Sequence, residues 1–237
     1  SIDDFKNPLL IRDYISDKSD YEKIIDLYKN KKKDKSLCVF NVTMQNHNPY
    51  NFDYVGDVKV TDFSVSSQVE QYLSLMRKSD DALKELITYF KKSDEPAIIL
   101  VFGDHQPHLP DSFYEKLFGK NPVQFSREDS MKEHLIPFMI WANYDIGSAS
   151  DVVIGNNTLE NMLLKAAGIE LPTYNKYVEK VSQTIPVVNV NGYMDNDGNW
   201  HNYGSDEPDN IKKLLDDYDI LQYGYYSDTD KEKLFGK

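Results

Sequence analysis

Short apolar runs alternate with amphipathic stretches along the chain. Three runs are rich in β-forming residues and bounded by polar residues, which is typical of buried strands; they cover residues 36–44, 96–102 and 135–142. Apolar positions with helical spacing predict helices at residues 19–30, 64–92, 111–119 and 157–168. This alternation indicates an α/β fold in which a mainly parallel sheet is flanked by helices.

Two helical stretches carry further signals. Ser19 can cap the first helix, and Gly168 follows the last residue of the stretch at 157–168, a position where glycine commonly ends helices. In the stretch at 64–92, Ser79 and Asp80 interrupt the apolar stripe. One bent helix and two separate helices both agree with that pattern.

The C-terminal part has a different pattern. Residues 185–204 predict a strand with turns, because Asn191-Gly192 and Asp197-Gly198 are hairpin signals. A final helix is expected from Glu207 onward. We therefore expect two parts, residues 1–184 and a small β-hairpin-and-helix subdomain at 185–237.

Charge and cysteine content exclude several classes of protein. The 237 residues include 27 basic and 39 acidic side chains, a formal charge of −12, so general binding to nucleic acid is not expected. Cys38 is the single cysteine, which excludes an intrachain disulfide and a cysteine-based metal site; we expect it in the core. No apolar run approaches the roughly 18–20 residues of a membrane span, and the chain as given is expected to be soluble.

Unusual polar groups follow two of the predicted strands. His47 comes just after the run at 36–44, and Asp104 with His105 follows the run at 96–102. Ligands bind beyond the carboxyl ends of the strands in an open parallel sheet. If these two strands are neighbours, the three side chains converge at one edge of the sheet.

Asp104 and His105 can serve one site only if the backbone leaves the strand before them, since adjacent strand residues point to opposite faces. Gly103 and Pro107 make such a departure plausible. A carboxylate with an imidazole is a common ligand set for Zn, Mn or Fe. The alternative, a capping aspartate beside a hydrogen-bonded histidine, is equally open. For His47 taken alone, an ordinary loop histidine is the favoured interpretation.

The order of four motifs is more specific than any one of them. The chain contains "FNVTMQNHNPY" at 40–50, "ILVFGDHQP" at 99–107, "LIPFMIWANYD" at 135–145 and "NTLENMLLKAAGIELP" at 157–172. This series resembles the lipoteichoic acid synthase family, which are sulfatase-like phosphoglycerol transferases of the alkaline phosphatase superfamily. The resemblance implies that residues 1–184 are the C-terminal portion of the catalytic domain.

The resemblance also implies a site. Members hold one divalent metal ion, usually Mn with Mg or Zn as alternatives, through an Asp-His pair, a Glu and a Thr nucleophile that forms a covalent glycerophosphoryl intermediate. The Asp-His pair corresponds to Asp104 and His105, and His47 to a histidine that contacts the phosphoryl group or the leaving alcohol. The implied substrate is an anionic glycerophospholipid or polymer at the bacterial cell surface, with the parent protein anchored in the membrane by other segments.

One departure from the family pattern changes the expected activity. The family's Glu and Thr lie well before the "TMQNH" motif, and nothing in the 46 residues before His47 resembles them. The nucleophile is therefore expected to be absent from this chain, the sheet incomplete and the chain inactive alone. A sulfatase of the same superfamily and a non-catalytic domain that binds a partner or wall polymer are the alternatives.

Overall fold

The computed structural model describes residues 2–50, 54–204 and 207–227. Within these ranges lie seven α-helices: α1 (Asp17–Asn30), α2 (Ser67–Phe90), α3 (Asp111–Phe118), α4 (Arg127–Lys132), α5 (Leu159–Ala166), α6 (Thr173–Ser182) and α7 (Asp209–Ser227). The strands are β1 (Leu10–Ile11), β2 (Tyr14–Ile15), β3 (Ile98–Phe102), β4 (Phe138–Ala142), β5 (Val187–Asn189), β6 (Gly192–Met194) and β7 (Trp200–His201).

The described residues form two compact units. One contains the described parts of 1–97 and 101–139, and the other those of 98–100 and 140–237. These units are defined by their internal contacts. The expected division into a catalytic portion at 1–184 and a subdomain at 185–237 is a different statement, and it stays a prediction.

Two helices organise the first unit. The N-cap of α1 is Ser16, whose side chain accepts a hydrogen bond from the backbone N–H of Ser19; the cap expected at Ser19 was therefore placed three residues too late. The stretch at 64–92 forms the single helix α2, which decides between one helix and two. Val69 and Leu75 on α2 are fully buried and pack against Tyr50 and Leu109.

The run at 36–44 is not a strand. Its apolar side chains are exposed, with 82% exposure for Phe40 and 64% for Val42, and Cys38 is exposed as well. A strand needs a neighbour to pair with its backbone N–H and C=O groups. Among the described residues no strand pairs with this segment, so the predictions of a buried strand and a buried Cys38 were wrong.

The other strands form small sheets. β1 pairs with β2, and β5 with β6 and β7, all in antiparallel fashion. β3 and β4 form a two-stranded sheet. The fold is thus a mixture of helices and sheets, and the described residues do not confirm a mainly parallel sheet.

The second unit follows its sequence pattern closely. A short 3-10 helix at Asn156–Thr158 leads into α5, and Gly168 adopts a positive φ of 69° just beyond it. The predicted hairpins form the β5–β6–β7 sheet, and the expected last helix is α7. Its core contains residues from α6, α7, the sheet and the segment between α6 and β5: Val178, Val181, Ile185, Tyr193, Leu215 and Tyr218.

Two carboxylates are buried at the start of α1. Asp17 is 2% exposed and Asp20 is 9% exposed. Burial, together with the negative charge of Asp17, raises the pKa of Asp20 from 3.8 to about 6. Burial also raises the pKa of Asp17, although hydrogen bonds from Ser79 and Thr43 offset part of that rise.

Replacement of Asp20 by Asn should stabilise the fold at neutral pH. Because the folded-state pKa is raised to about 6, the folded chain binds this proton more tightly than the unfolded chain. The cost of the carboxylate is therefore absent below about pH 4 and complete above about pH 6. We expect Asp20→Asn to raise the free energy of unfolding by roughly 1–2 kcal/mol above pH 6 and by nothing near pH 4, as measured by urea denaturation.

The same change at exposed Asp13 is the matched control and should leave the free energy of unfolding unchanged at both pH values. An effect of Asp20→Asn that is equal at both pH values would contradict the assignment.

Truncation of Phe40 distinguishes the exposed segment from a buried strand. In the structure the Phe40 side chain is 82% exposed, so Phe40→Ala should change the free energy of unfolding by no more than about 0.5 kcal/mol. Leu75→Ala, at a fully buried position, should cost about 2–5 kcal/mol in the same urea titration. A loss for Phe40→Ala as large as that for Leu75→Ala would show that the segment is buried.

Candidate functional site

Asp104 and His105 lie side by side where the backbone leaves β3. The strand ends at Phe102, and residues 103–110 are irregular, as the Gly-Asp-His sequence predicts. Asp104 Oδ2 and His105 Nε2 are 3.6 Å apart, and the two side chains are 80% and 71% exposed. The structure therefore presents the carboxylate and the imidazole together to solvent.

The loop that carries this pair is fixed at several points beyond it. The side chain of Gln106 donates to the carbonyl of Leu135, and Tyr114 Oη donates to the carbonyl of Pro107 at 2.7 Å. Leu109 is 3% exposed in the core. Gly103 is not in the left-handed region, and a Cβ there would meet Ile136 at an ordinary 3.4 Å, so the turn does not require glycine.

Backbone contacts decide which nitrogen of His105 is available. His105 Nδ1 lies 2.9 Å from the carbonyl oxygen of Gln106. A carbonyl only accepts hydrogen bonds, so Nδ1 carries the proton and the lone pair of the neutral ring lies on Nε2. Metal-binding histidines commonly have this arrangement, in which the other ring nitrogen donates to a backbone carbonyl.

The pair fits two positions of a metal site. Asp104 Oδ1 accepts from the backbone N–H of His105 at 2.9 Å, which leaves Oδ2 on the side of Nε2. Their 3.6 Å separation is short enough for one ion to contact both, because two bonds of about 2.0–2.2 Å can span it. Among the described residues, no third His, Cys, Asp or Glu joins a group that could hold a metal ion.

His47 lies in a separate loop of the same unit. Its ring is exposed, and its Nδ1 is 2.7 Å from the carbonyl oxygen of Asn48. The rings of His47 and Tyr14 lie edge to face, with 6.1 Å between their centroids. The carbonyl again requires the proton on Nδ1. In the neutral ring of His47, as in that of His105, the lone pair therefore lies on Nε2.

Sequence reasoning missed Arg12. Its guanidinium donates to the carbonyl oxygens of Gln45, His47 and Pro49 at 2.6–2.8 Å. These partners are 33–37 positions away along the chain, so no local pattern indicates the contact. Arg12 has a positive φ of 48° in the turn between β1 and β2, which is uncommon for a residue other than glycine.

Both loops are anchored in one core cluster. Tyr50, three positions after His47, and Leu109, four positions after His105, are buried with Val69 and Leu75 of α2. Burial of these anchors fixes where each loop returns to the first unit. The positions of the histidines thus depend on the apolar face of α2.

The remaining histidines have other surroundings. His108 and His134 are exposed. His201 Nε2 lies 2.7 Å from Asp195 Oδ2, and its ring stacks on Tyr193. The hydrogen bond from His201, with those from Asn199 and Asp197, lowers the pKa of Asp195 to about 2; this pair stabilises the turn between β6 and β7.

Comparison with known proteins defines the class of the chain. Residues 2–169 match the sequence profile of the sulfatase family, and the chain therefore belongs to that family. GacH of Streptococcus pyogenes, a phosphoglycerol transferase solved in complex with sn-glycerol-1-phosphate, has a similar fold: it superposes on 98% of this chain with a TM-score of 0.69 and 21% identity. The resemblance predicted from the four motifs is confirmed at this level.

Two proteins of Rhizobium meliloti (strain 1021) are also similar. One is named for modification of cyclic β-1,2-glucan and is 31% identical over 154 residues, which cover 60% of this chain and 24% of that protein. The capsular polysaccharide biosynthesis protein RkpI is 30% identical over 96 residues, 40% of this chain and 16% of that protein. The chain spans 55% of the GacH chain.

Membrane-spanning character is not seen in the helices that the structure describes. In the described ranges, no helix is both long enough and apolar enough to cross a bilayer.

The ring tautomers give a direct test of the site geometry. Above about pH 8, where an ordinary imidazole is neutral, long-range ¹H–¹⁵N correlation spectra should show a protonated Nδ1 and an unprotonated Nε2 for His47 and His105. The reason is the hydrogen bond from each Nδ1 to a backbone carbonyl. Exposed His134, whose ring has no hydrogen bond among the described residues, is the control and should exchange between tautomers. Protonation mainly at Nε2 of His47 or His105 would contradict the loop structure.

Proposed function

We propose that the chain is part of a metal-dependent phosphoglycerol transferase or phosphodiesterase that acts on a cell-envelope glycerophospholipid or polymer. The observation that carries this proposal is the exposed Asp104–His105 pair at the end of β3, in a chain of the sulfatase family with the fold of a phosphoglycerol transferase. In the proposed enzyme, residues 1–184 are the C-terminal portion of the catalytic domain, and their strands are part of a mainly parallel sheet.

Asp104 and His105 would bind a single divalent cation, for which Mn is expected and Mg or Zn are alternatives. Oδ2 and Nε2 are the atoms available for this, because Oδ1 and Nδ1 are engaged with the backbone. A bound cation would supply Lewis-acid stabilisation of negative charge on the phosphoryl oxygens. Its charge also explains how a chain with a net charge of −12 can bind an anionic headgroup.

His47 would contact the phosphoryl group or the leaving alcohol. Its Nδ1–H is held by the carbonyl of Asn48, so Nε2 is the atom that can accept a proton or, when protonated, donate one to an alkoxide. The exposed ring is accessible to a substrate without rearrangement of the loop. The proposed role therefore concerns proton transfer and orientation at Nε2.

The remaining parts of the site would come from polypeptide outside this chain. The described residues offer Asp104 and His105 without a third ligand, and the chain corresponds to only 55% of the GacH chain. A Thr nucleophile and a Glu ligand are expected in the remainder. We accordingly expect the purified chain not to turn over a phosphodiester, and turnover by the chain alone would contradict this part of the proposal.

The similar proteins support an acceptor in the bacterial cell envelope. GacH is described in complex with sn-glycerol-1-phosphate, and the two Rhizobium meliloti proteins are named for a cyclic glucan and a capsular polysaccharide. A phosphoglycerol group transferred to an envelope polysaccharide is consistent with both. We propose the extracellular side of the membrane as the place of action, with the parent protein anchored by other segments.

A sulfatase of the same superfamily is the second candidate, favoured by the family match itself. The two readings differ in the anion that the metal-loaded site prefers. If sn-glycerol-1-phosphate shifts the His47 ring signals at lower concentration than inorganic sulfate does, the transferase is favoured. The reverse order would favour the sulfatase.

A metal-binding measurement tests whether Asp104 and His105 bind a divalent cation, on which the proposal depends. The electron paramagnetic resonance signal of free Mn²⁺ decreases as the ion binds to the chain. At fixed salt concentration, this decrease measures the bound fraction. We expect one site-specific Mn²⁺ and at least about a tenfold loss of affinity in Asp104→Ala, because a carboxylate ligand is removed. His105→Ala should weaken binding to a similar extent.

Asp111→Ala is the matched control, because Asp111 is an exposed carboxylate near the same loop. It should leave the affinity unchanged, which separates the site from general attraction to an acidic surface. Equal Mn²⁺ affinity in the wild type and Asp104→Ala would contradict the enzyme proposal and favour a non-catalytic domain that binds a partner or wall polymer.

A further inference from the structure

The loop that carries His47 is held by side chains instead of by a neighbouring strand. All five carbonyl groups of residues 45–49 accept hydrogen bonds from side chains. Arg12 binds the oxygens of Gln45, His47 and Pro49, Tyr50 binds that of Asn46, and Tyr14 and the His47 ring bind that of Asn48. The donors to these successive carbonyls come from only four side chains, and the guanidinium of Arg12 alone serves three of the five.

Arg12 is itself fixed on two sides. Its guanidinium carbon lies 5.4 Å from the centroid of the Tyr14 ring and 5.5 Å from that of Tyr50, within the range of cation–π contacts. The two rings are therefore both contact surfaces for the cation and sources of hydroxyl donors to the loop. Arg12, Tyr14 and Tyr50 act on the loop as one unit.

The side chains of the loop add a second set of constraints. Gln45 is 1% exposed and donates to Ser79 Oγ and to the carbonyl of Leu75, while it accepts from the backbone N–H of Asp17. Asn46 donates to the same Ser79 hydroxyl at 2.8 Å. In contrast, His47 is exposed. The loop is thus tied to α1 and α2 on one side and presents the imidazole on the other.

The hydrogen bonds of Arg12 argue against a direct role in binding an anion. An arginine near a phosphate site would ordinarily be assigned to the phosphate, because its fork of donors matches phosphate oxygens. Here three of the Nη hydrogens donate to carbonyls, and Nε is buried without a partner among the described residues. The charge is therefore directed into the loop.

We propose that Arg12 is a positioning residue that sets the tautomer and direction of His47, with Tyr14 as its assistant. By holding the carbonyls on both sides of His47, Arg12 keeps the Asn48 oxygen where it accepts from Nδ1, which leaves Nε2 free for a substrate. The catalytic meaning of this role rests on the proposed function, whereas the geometry of His47 is independent of it.

The Arg12→Lys variant tests the proposal, because it keeps the positive charge and removes only the planar guanidinium. A lysine ammonium cannot reproduce the planar fork that reaches three carbonyls, so the Asn48 oxygen should lose its fixed position. We expect His47 to lose its preference for a protonated Nδ1 and its two ring tautomers to average, while the tautomer of His105 is unchanged. Arg77→Lys on α2 is the matched control, since Arg77 is exposed and should leave both histidines as they are.

A merely structural role would not produce this pattern. It would lower the melting temperature of Arg12→Lys without a selective change at His47, and an unchanged His47 tautomer in a folded Arg12→Lys variant would overturn the proposal. If Arg12→Lys does not fold, Tyr14→Phe provides the second test. That variant keeps the ring under Arg12 but removes the hydroxyl donor to Asn48, and it should increase tautomer exchange at His47; no change would overturn the proposal as well.

Titration of the wild-type chain with sn-glycerol-1-phosphate in the presence of Mg²⁺, which is diamagnetic and does not broaden the signals as Mn²⁺ would, separates positioning from anion binding. The guanidinium ¹⁵N signals of Arg12 should not move, because its donors stay with the loop. A saturable shift of those signals would overturn the proposal in favour of a phosphate ligand. Failure of Mn²⁺ to bind would remove the proposed function but leave the His47 result standing, so the two failures are distinguishable.

Discussion

The buried face of α2 is the contact on which the first unit depends. Val69 and Leu75 are fully buried there, and Tyr50 and Leu109 pack against them. Hydrophobic burial has little directionality, so it fixes where the two loops return to the core without fixing what they present. The direction of each histidine comes from hydrogen bonds around that anchor, to Asn48 for His47 and to Gln106 for His105.

The two loops reach the same chemical result by different means. The loop after β3 leaves a regular strand, and Asp104 accepts from the next backbone N–H. The loop at 45–49 has no strand before it, and an internal cation with two tyrosines holds its carbonyls. Backbone carbonyls without a strand partner take donors from elsewhere, and Arg12 is suited to this because it supplies several from one rigid group. In both loops Nδ1 is bonded to a carbonyl and Nε2 remains available.

Local sequence patterns predicted the features that depend on neighbours along the chain. The departure of the backbone before Asp104, the helix that ends before Gly168 and the hairpins at 187–201 are of this kind. The run at 36–44 has the composition of a strand, but strand formation requires a partner elsewhere, and composition does not report one. Arg12 was missed for the same reason, since its three carbonyl partners lie more than thirty positions away.

Under the proposed function, the exposed run at 36–44 and the incomplete set of metal ligands have the same cause, which is a missing neighbouring strand. In open α/β sheets, site residues lie beyond the carboxyl ends of neighbouring strands. A strand that paired with residues 36–44 would satisfy their backbone, cover apolar side chains such as Phe40, and bring its own end beside the loop of His47. The same neighbour could thus supply both the pairing and the ligands that the described residues lack. In the structure, Arg12 and the core cluster hold the His47 loop without such a strand.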